Sequence, residues 1–509
     1  MGGGGKLFFT GITVCILFSL LSIFAILHGG FTLGVSGEWS WLRLQNPEIP
    51  VMEIMAVIIL FAIAAGTAFF VDFRCAAPRG RIAGIILILL CGLCIDYQIL
   101  RSGRAGVNEN IVGIIDKYTS GYMTEAGKIS SPVKYFTDFI NPLNSRSTTP
   151  EHIDVHPPGN IIASWLALKL CRESAALRQV TGSLLPAGTI DDVTTENAGV
   201  AEKEVWPFMV YAAALLVLLM LAGVTLGKGL ILLAGFVLIK KQPAFAGLTA
   251  LALLAVPGPI LFIGHFDPPF FFLSSLCCLF LVLAAVNAKP TLLWAGLCGF
   301  CLGVGTVFTL AYGTLIILVF AFFLIKAWTG GELRKNLIIA GTIAGGGLAV
   351  AILCYLSGFR IIEIFLQCLH NQARFHADTG RSAVWAVFNF LDVLLFLGAP
   401  GFLLPFFLAA GKITELRNKG FKAVIGDNYV LITVLYAVML LFMCLSPLTR
   451  GEMGRMLIFY MPLPLVLACA MIFEQPLAKR TAILLCAASG LMLVQETVMR
   501  IVLKLVIAM

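Results

Sequence analysis

The chain has 509 residues, 59% of them hydrophobic and only 12% charged, with a mean hydropathy of +0.97 and a formal charge of +8. Soluble domains carry about twice that share of charge, so the polar groups cannot cover a water-facing surface, and a soluble fold is excluded. The surplus of Lys and Arg lies in short loops between apolar runs, which is how membrane proteins encode orientation, and it gives no reason to expect a nucleic-acid partner.

A membrane-crossing helix needs about 20 apolar residues, at about 1.5 Å of rise each. That measure predicts an all-α polytopic membrane protein with about 11–13 transmembrane helices in a single integral membrane domain, 1–509. The candidate spans begin with 7–27, 51–71 and 83–100. The first follows MGGGGK with no small-residue cleavage site behind it, so a retained helix is expected; Lys6 breaks the myristoylation pattern.

A long segment, 101–205, then interrupts the spans. It holds an amphipathic stretch near 107–140, a turn-rich region, HIDVHPPGN, a short apolar helix at 161–171 and a polar loop at 179–204. Further spans follow at 206–227 (apolar to about Ile239), 244–263, 268–287, 292–308 and 310–325. Ala311-Tyr312-Gly313 breaks the last pair, leaving two tilted spans and a re-entrant hairpin both open. After 337–357 comes a second polar loop, 358–385, and then spans at 386–408, 429–446, 456–473 and 481–506.

Placing Lys6 in the cytoplasm puts every short basic loop on the same side: Arg74, Arg79 and Arg81; Lys240 and Lys241; Lys326, Arg334 and Lys335; Lys412, Arg417, Lys419 and Lys422; Lys479 and Arg480. One parity thus satisfies the positive-inside rule along the whole chain. It sends all six histidines, and the segments 101–205 and 358–385, to the extracytoplasmic face. The expected location is a bacterial inner (plasma) membrane, crossed many times.

Most of the fourteen cysteines fall within apolar runs, including the CxxC pairs Cys91/Cys94 and Cys298/Cys301, and read as small packing residues. Cys171 and Cys368 both lie in extracytoplasmic segments, where a disulfide is open to them. No repeat of 20–50 residues is present, which weighs against a transporter built from paired repeats.

The extracytoplasmic segments concentrate the chemistry. Glu38, in GVSGEWSW, is a carboxylate at the bilayer surface beside Trp39 and Trp41, suited to a general base; an interfacial loop with aromatic anchors is the plainer reading. His152, Asp154 and His156 alternate onto one edge if extended, and Pro157 keeps His156 out of helical geometry. They could hold phosphate or a divalent metal, or form a polar turn before the next helix. Asp267, in GHFDPPFFF, is a carboxylate in a tight apolar hairpin, either functional or a helix cap. His370 and Arg381 lie in HNQARFHADTGRS, and Arg450, Glu452 and Arg455 in PLTRGEMGR. Arginine forks suit phosphate oxygens, those of a substrate or of lipid headgroups. Glu53, Asp96, Asp392 and Glu496 are the ionisable residues within spans, read as structural.

In this order, GVSGEWSW, HIDVHPPGN, GHFDPPFFFL, the loop from HNQARFHADTGRS to FLGAP and SPLTRGEMGRMLIFYMP resemble the extracytoplasmic elements of the GT-C superfamily of membrane glycosyltransferases, which includes protein O-mannosyltransferase-like and arabinosyl- and mannosyltransferase-like enzymes. The resemblance spans about residues 30–465. It implies a polyprenyl-phosphate sugar donor and a glycan, lipid or protein acceptor, usually with inversion. By the same analogy Glu38 is the base, His156 and Arg450 or Arg455 hold the donor phosphate, and Asp267 and His370 line the pocket. Many members carry paired acids in the first loop, whereas here Glu38 stands alone, with Glu48 ten residues on. No nucleotide-binding glycine loop occurs, in keeping with a lipid-linked donor. A polysaccharide ligase or polymerase and a non-enzymatic lipid-linked sugar flippase or transporter are the competing expectations.

Overall fold

A computed structural model describes residues 3–29, 33–35, 39–44, 46–104, 106–115, 121–140, 153, 155–183, 185, 189, 206–239, 245–330, 332–375, 384–446, 453–476 and 478–507. Helix dominates because a backbone in hydrocarbon must satisfy its own N–H and C=O groups. Among the described residues, ten helices are long and apolar enough to cross a membrane: Gly5–His28, Val51–Phe73, Pro78–Arg101, Pro207–Ile239, Pro268–Ala285, Thr291–Phe308, Tyr312–Thr329, Leu333–Leu356, Asn428–Leu445 and Lys479–Val502. The protein is therefore a multi-pass, all-α membrane protein. The 292–325 region forms two separate helices of full span length.

Three of the expected spans differ from that plan. Residues 244–263 form two short helices, Ala246–Leu254 and Gly258–Leu261, interrupted where Pro257 and Pro259 cannot extend the hydrogen-bond ladder. The 456–473 run is a 3₁₀ turn followed by Pro462–Phe473. The 386–408 run breaks at Gly398, and its halves Val384–Leu397 and Ala399–Lys419 meet at 99°. A hydropathy window registers apolar content but does not register a Gly-Ala-Pro break.

The two ends of the bundle differ in chemistry. At one end the Arg480 guanidinium lies 5.3 Å from the Phe9 ring, Lys412 pairs with Glu474 at 3.9 Å, and Lys326 donates to the Gly426 carbonyl at 2.7 Å. The basic loops that carry Lys326, Lys412 and Arg480 thus lie at that end, Arg480 beside the start of the first helix. At the other end β1 (Leu33–Val35), β2 (Trp39–Arg43) and β3 (Leu503–Ile507) form a small antiparallel sheet in that order. The last helix ends at Val502, short of the expected 506, because the chain turns there to pair with β2. His28, His156, His265 and His370 belong to this second end.

The described parts of the 101–205 segment pack over the histidine end as short helices: Val107–Ile115, Tyr122–Gly127, Pro132–Ile140, Gly159–Glu173 and Ala175–Ser183. The first three account for the amphipathic stretch, and Gly159–Glu173 for the predicted apolar helix. Helix extends to Ser183, into the start of the expected loop at 179–204, most of whose remainder lies outside the described residues. All fourteen cysteines are free thiols, so Cys171 and Cys368, both buried, do not pair with each other.

Candidate functional site

The turn between Gly258–Leu261 and Pro268–Ala285 carries His265 and Asp267. Gly264 adopts φ +109°, and a Cβ there would lie 3.1 Å from the Asn110 backbone, so only glycine suits the turn. Asp267 occupies the N-cap position of the following helix, yet its side chain makes no capping hydrogen bond. It pairs instead with Arg455, Oδ2 to Nε at 3.5 Å. The Arg455 Nη1 lies 3.3 Å from His265 Nδ1, so one guanidinium bridges both side chains of the turn. Arg455 sits in the one-turn helix Met453–Met456, next to Gly454, where a Cβ would collide with the Phe396 ring. That close approach sets the distance from which the arginine reaches its partners.

A second wall comes from the long polar segment. The buried Tyr122 ring sits edge-on to Phe266 at 5.0 Å and to His156 at 6.4 Å. Its hydroxyl is hydrogen-bonded to the side chain of Asn160, in the first turn of the helix that HPPG introduces. Burial raises the Tyr122 pKa and the Asp267 charge raises it further, against smaller opposing effects of Asn160 and Arg455. The phenol is therefore a neutral hydroxyl. Cys368 also lies close enough to act on Tyr122 electrostatically, bringing the helix Ile361–Phe375 to the same place.

Trp41 ties the first loop to this region. It is buried against Phe262 at 6.0 Å and Phe396 at 5.5 Å, just beneath the His265 turn. Below the turn, with the Asn110 amide oriented to satisfy both its ends, its nitrogen donates to the Ile263 carbonyl and its oxygen accepts from Arg500 Nη2 at 3.0 Å. Arg500 in turn pairs with Glu109 at 3.1 Å.

The structure thus brings together three of the sequence candidates, His156, Asp267 and Arg455. His370 lies on the exposed side of its helix, while Cys368, two residues before it, faces the cluster. Glu38, His152, Asp154, Arg381, Arg450 and Glu452 fall outside the described residues. Sequence reasoning did not select His265, Tyr122, Asn160 or Cys368. Of these, His265 alone gave a local signal, by standing two residues from Asp267. Tyr122 and Asn160 are ordinary residues of short helices, and only their meeting makes them notable.

Among the described residues, no three His, Cys, Asp or Glu side chains gather as a metal site requires. The positive group of this cluster is the guanidinium, with side-chain exposure of 14% against 24% for Asp267, so both are reachable from one side while held in place. A partly buried guanidinium beside imidazole and hydroxyl donors suits an anionic ligand with several oxygens. Nearby, a polar groove of about 390 Å³ runs along Glu125, Lys128, Ser131, Lys134 and Asp138. Comparison of the chain with protein families, with curated proteins and with solved structures returns no match.

Proposed function

We propose that the protein is a membrane glycosyltransferase of GT-C type, moving a sugar from a polyprenyl-phosphate donor to an acceptor on the extracytoplasmic face. The observation that carries this reading is the convergence of Arg455, His265, Asp267, Tyr122, Asn160 and His156 at the end of the bundle remote from the basic loops. If those basic loops are cytoplasmic, as the positive-inside rule requires, the cluster lies where only a lipid-linked donor is at hand.

In this reading Arg455 and His265 bind the donor phosphate, and Asp267 keeps the guanidinium aimed. Glu38 takes the proton from an acceptor hydroxyl, whose oxygen attacks the anomeric carbon. The bond from that carbon to the phosphate oxygen breaks, and the charge developing on the phosphate is met by Arg455. Tyr122 remains a hydrogen-bond donor throughout. The groove along Lys128, Lys134 and Asp138 offers alternating charge and hydroxyl groups to a hydroxyl-rich acceptor.

The test is sugar transfer from a polyprenyl-phosphate donor by the full-length protein in liposomes. Glu38→Gln and Arg455→Met are each expected to lower turnover about a hundredfold or more, the usual cost of removing a group that meets transition-state charge. Retained transfer in both variants, with loss of function on Asp392→Asn, would instead favour the flippase or transporter.

A further inference from the structure

Beneath the candidate site, three ionisable residues lie inside the bundle. Asp96, on Pro78–Arg101, and Glu496, on Lys479–Val502, are fully buried, and Lys228, in the second half of Trp206–Ile239, is 1% exposed. Asp96 and Glu496 are five and six residues from the histidine-end termini of their helices, on the order of 8–9 Å below that surface at 1.5 Å per residue. Two carboxyls and one ammonium cannot all be charged in a dry interior without an uncompensated negative charge.

Hydrogen-bond geometry decides which carboxyl is neutral. An ammonium has three donors. Those of Lys228 go to Asp96 Oδ1 at 3.3 Å, Asp96 Oδ2 at 3.0 Å and the Leu254 carbonyl at 3.0 Å. None remains for Glu496, and neither of its carboxyl oxygens has a hydrogen-bond partner among the described residues. Asp96 and Lys228 therefore form a closed, neutral pair beside an unpaired Glu496.

The helices packed on Lys479–Val502 carry their other charges towards their ends, Pro78–Arg101 with Arg79 and Arg81 at one terminus and Arg101 at the other. Gly3–His28 carries only Lys6 and His28, at its two ends, and Ala246–Leu254 carries none. On Val51–Phe73, Glu53 is paired with Arg101 and Asp72 accepts from Gly247 and Leu248 at the far end. On its own helix Lys479 and Arg480 are at the opposite terminus, and Arg500 lies one turn away. Arg500 is mostly buried, with 10% side-chain exposure, its Nη2 is engaged by Glu109 and Asn110, and its Nε has no hydrogen-bond partner among the described residues.

We propose that Glu496 is a membrane-embedded proton-binding site: it holds one proton while Asp96 and Lys228 neutralise each other, and Arg500 takes its carboxylate when that proton leaves. Residues i and i+4 share a helix face, so a side-chain rotation that gives up the Nη2 contacts with Glu109 and Asn110 turns the Arg500 guanidinium towards Glu496. The same rotation withdraws a hydrogen bond from Asn110, which holds the Ile263 carbonyl just before His265. Proton occupancy inside the bundle would in this way adjust the turn that carries His265 and Asp267. The proposal does not depend on what that turn binds.

Infrared difference spectroscopy of the full-length protein in lipid nanodiscs reads the proton directly. At neutral pH the wild type is expected to show a protonated-carboxyl carbonyl band that shifts in D₂O. Glu496→Gln, which preserves the shape and neutrality of the protonated acid, is expected to lose that band, whereas Glu53→Gln keeps it. Arg500→Gln should move disappearance of the band to higher pH. Glu496→Asp, expected to retain a displaced band, supplies the comparison if the amide variant does not fold. A wild-type band that survives Glu496→Gln unchanged, or no such band in the wild type at neutral pH, overturns the assignment.

Discussion

Arg455 reaches two different partners, His265 through Nη1 and Asp267 through Nε. A lysine carries one compact charge and cannot bridge both. If Arg455 holds the donor phosphate as proposed, Arg455→Lys is expected to fold normally but to bind that donor about tenfold or more weakly, seen as a rise in KM larger than the fall in kcat. Tyr122 supplies a second test at this scale. Burial and the Asp267 charge hold its pKa above the ordinary 10.0. Its folded-state contribution is complete below the unfolded value and is lost only as pH climbs through the folded one. An ultraviolet titration should find Tyr122→Phe missing one tyrosine that ionises late, with the neutral-pH activity profile unchanged in shape. That Asp267 sits at a helix N-cap was legible from the sequence; that its carboxylate turns to an arginine nearly two hundred residues away was not.

Short elements, rather than long spans, build the site. The Gly264 turn, the one-turn helix at Met453–Met456 and the helix introduced by HPPG each contribute one wall. Gly264→Ala places a Cβ in a left-handed conformation against Asn110, at a cost of about 1–3 kcal/mol. It is expected to lower the melting temperature in detergent and to reduce ligand binding more than Gly313→Ala, whose added Cβ meets nothing within 4 Å. The amphipathic stretch at 107–140 and the helix after HPPGN were readable because their periodicity is local. The break at Gly398 and the strand at Leu503–Ile507 were not. Both occur within apolar sequence that a window reads as continuous span, and both depend on a partner elsewhere in the chain.

For the molecule as a whole, the partition of charge between the two ends is the controlling feature. Labelling of single cysteines in sealed vesicles should place the 74–81 loop in the cytoplasm and the HPPG region on the opposite side, as the basic-loop bias predicts. The reverse result would remove the argument for a lipid-linked donor. Inside the bundle, Asp96→Asn strands the buried Lys228 ammonium and is expected to cost about 3–5 kcal/mol. Asp96→Asn combined with Lys228→Met removes both charges and should recover most of that loss, measured by thermal unfolding in detergent.

The sequence by itself determined the solvent, the helical class and the separation of basic loops from histidines, because burying apolar residues in lipid and leaving cations outside it are properties of composition and order along the chain. Only the tertiary structure decided that His265, Asp267, Arg455, Tyr122 and Asn160 meet, and that Asp96 engages Lys228 and leaves Glu496 alone. Such meetings depend on how helices distant in sequence are laid side by side, and their packing is set by shape across the whole bundle rather than by any local run of residues.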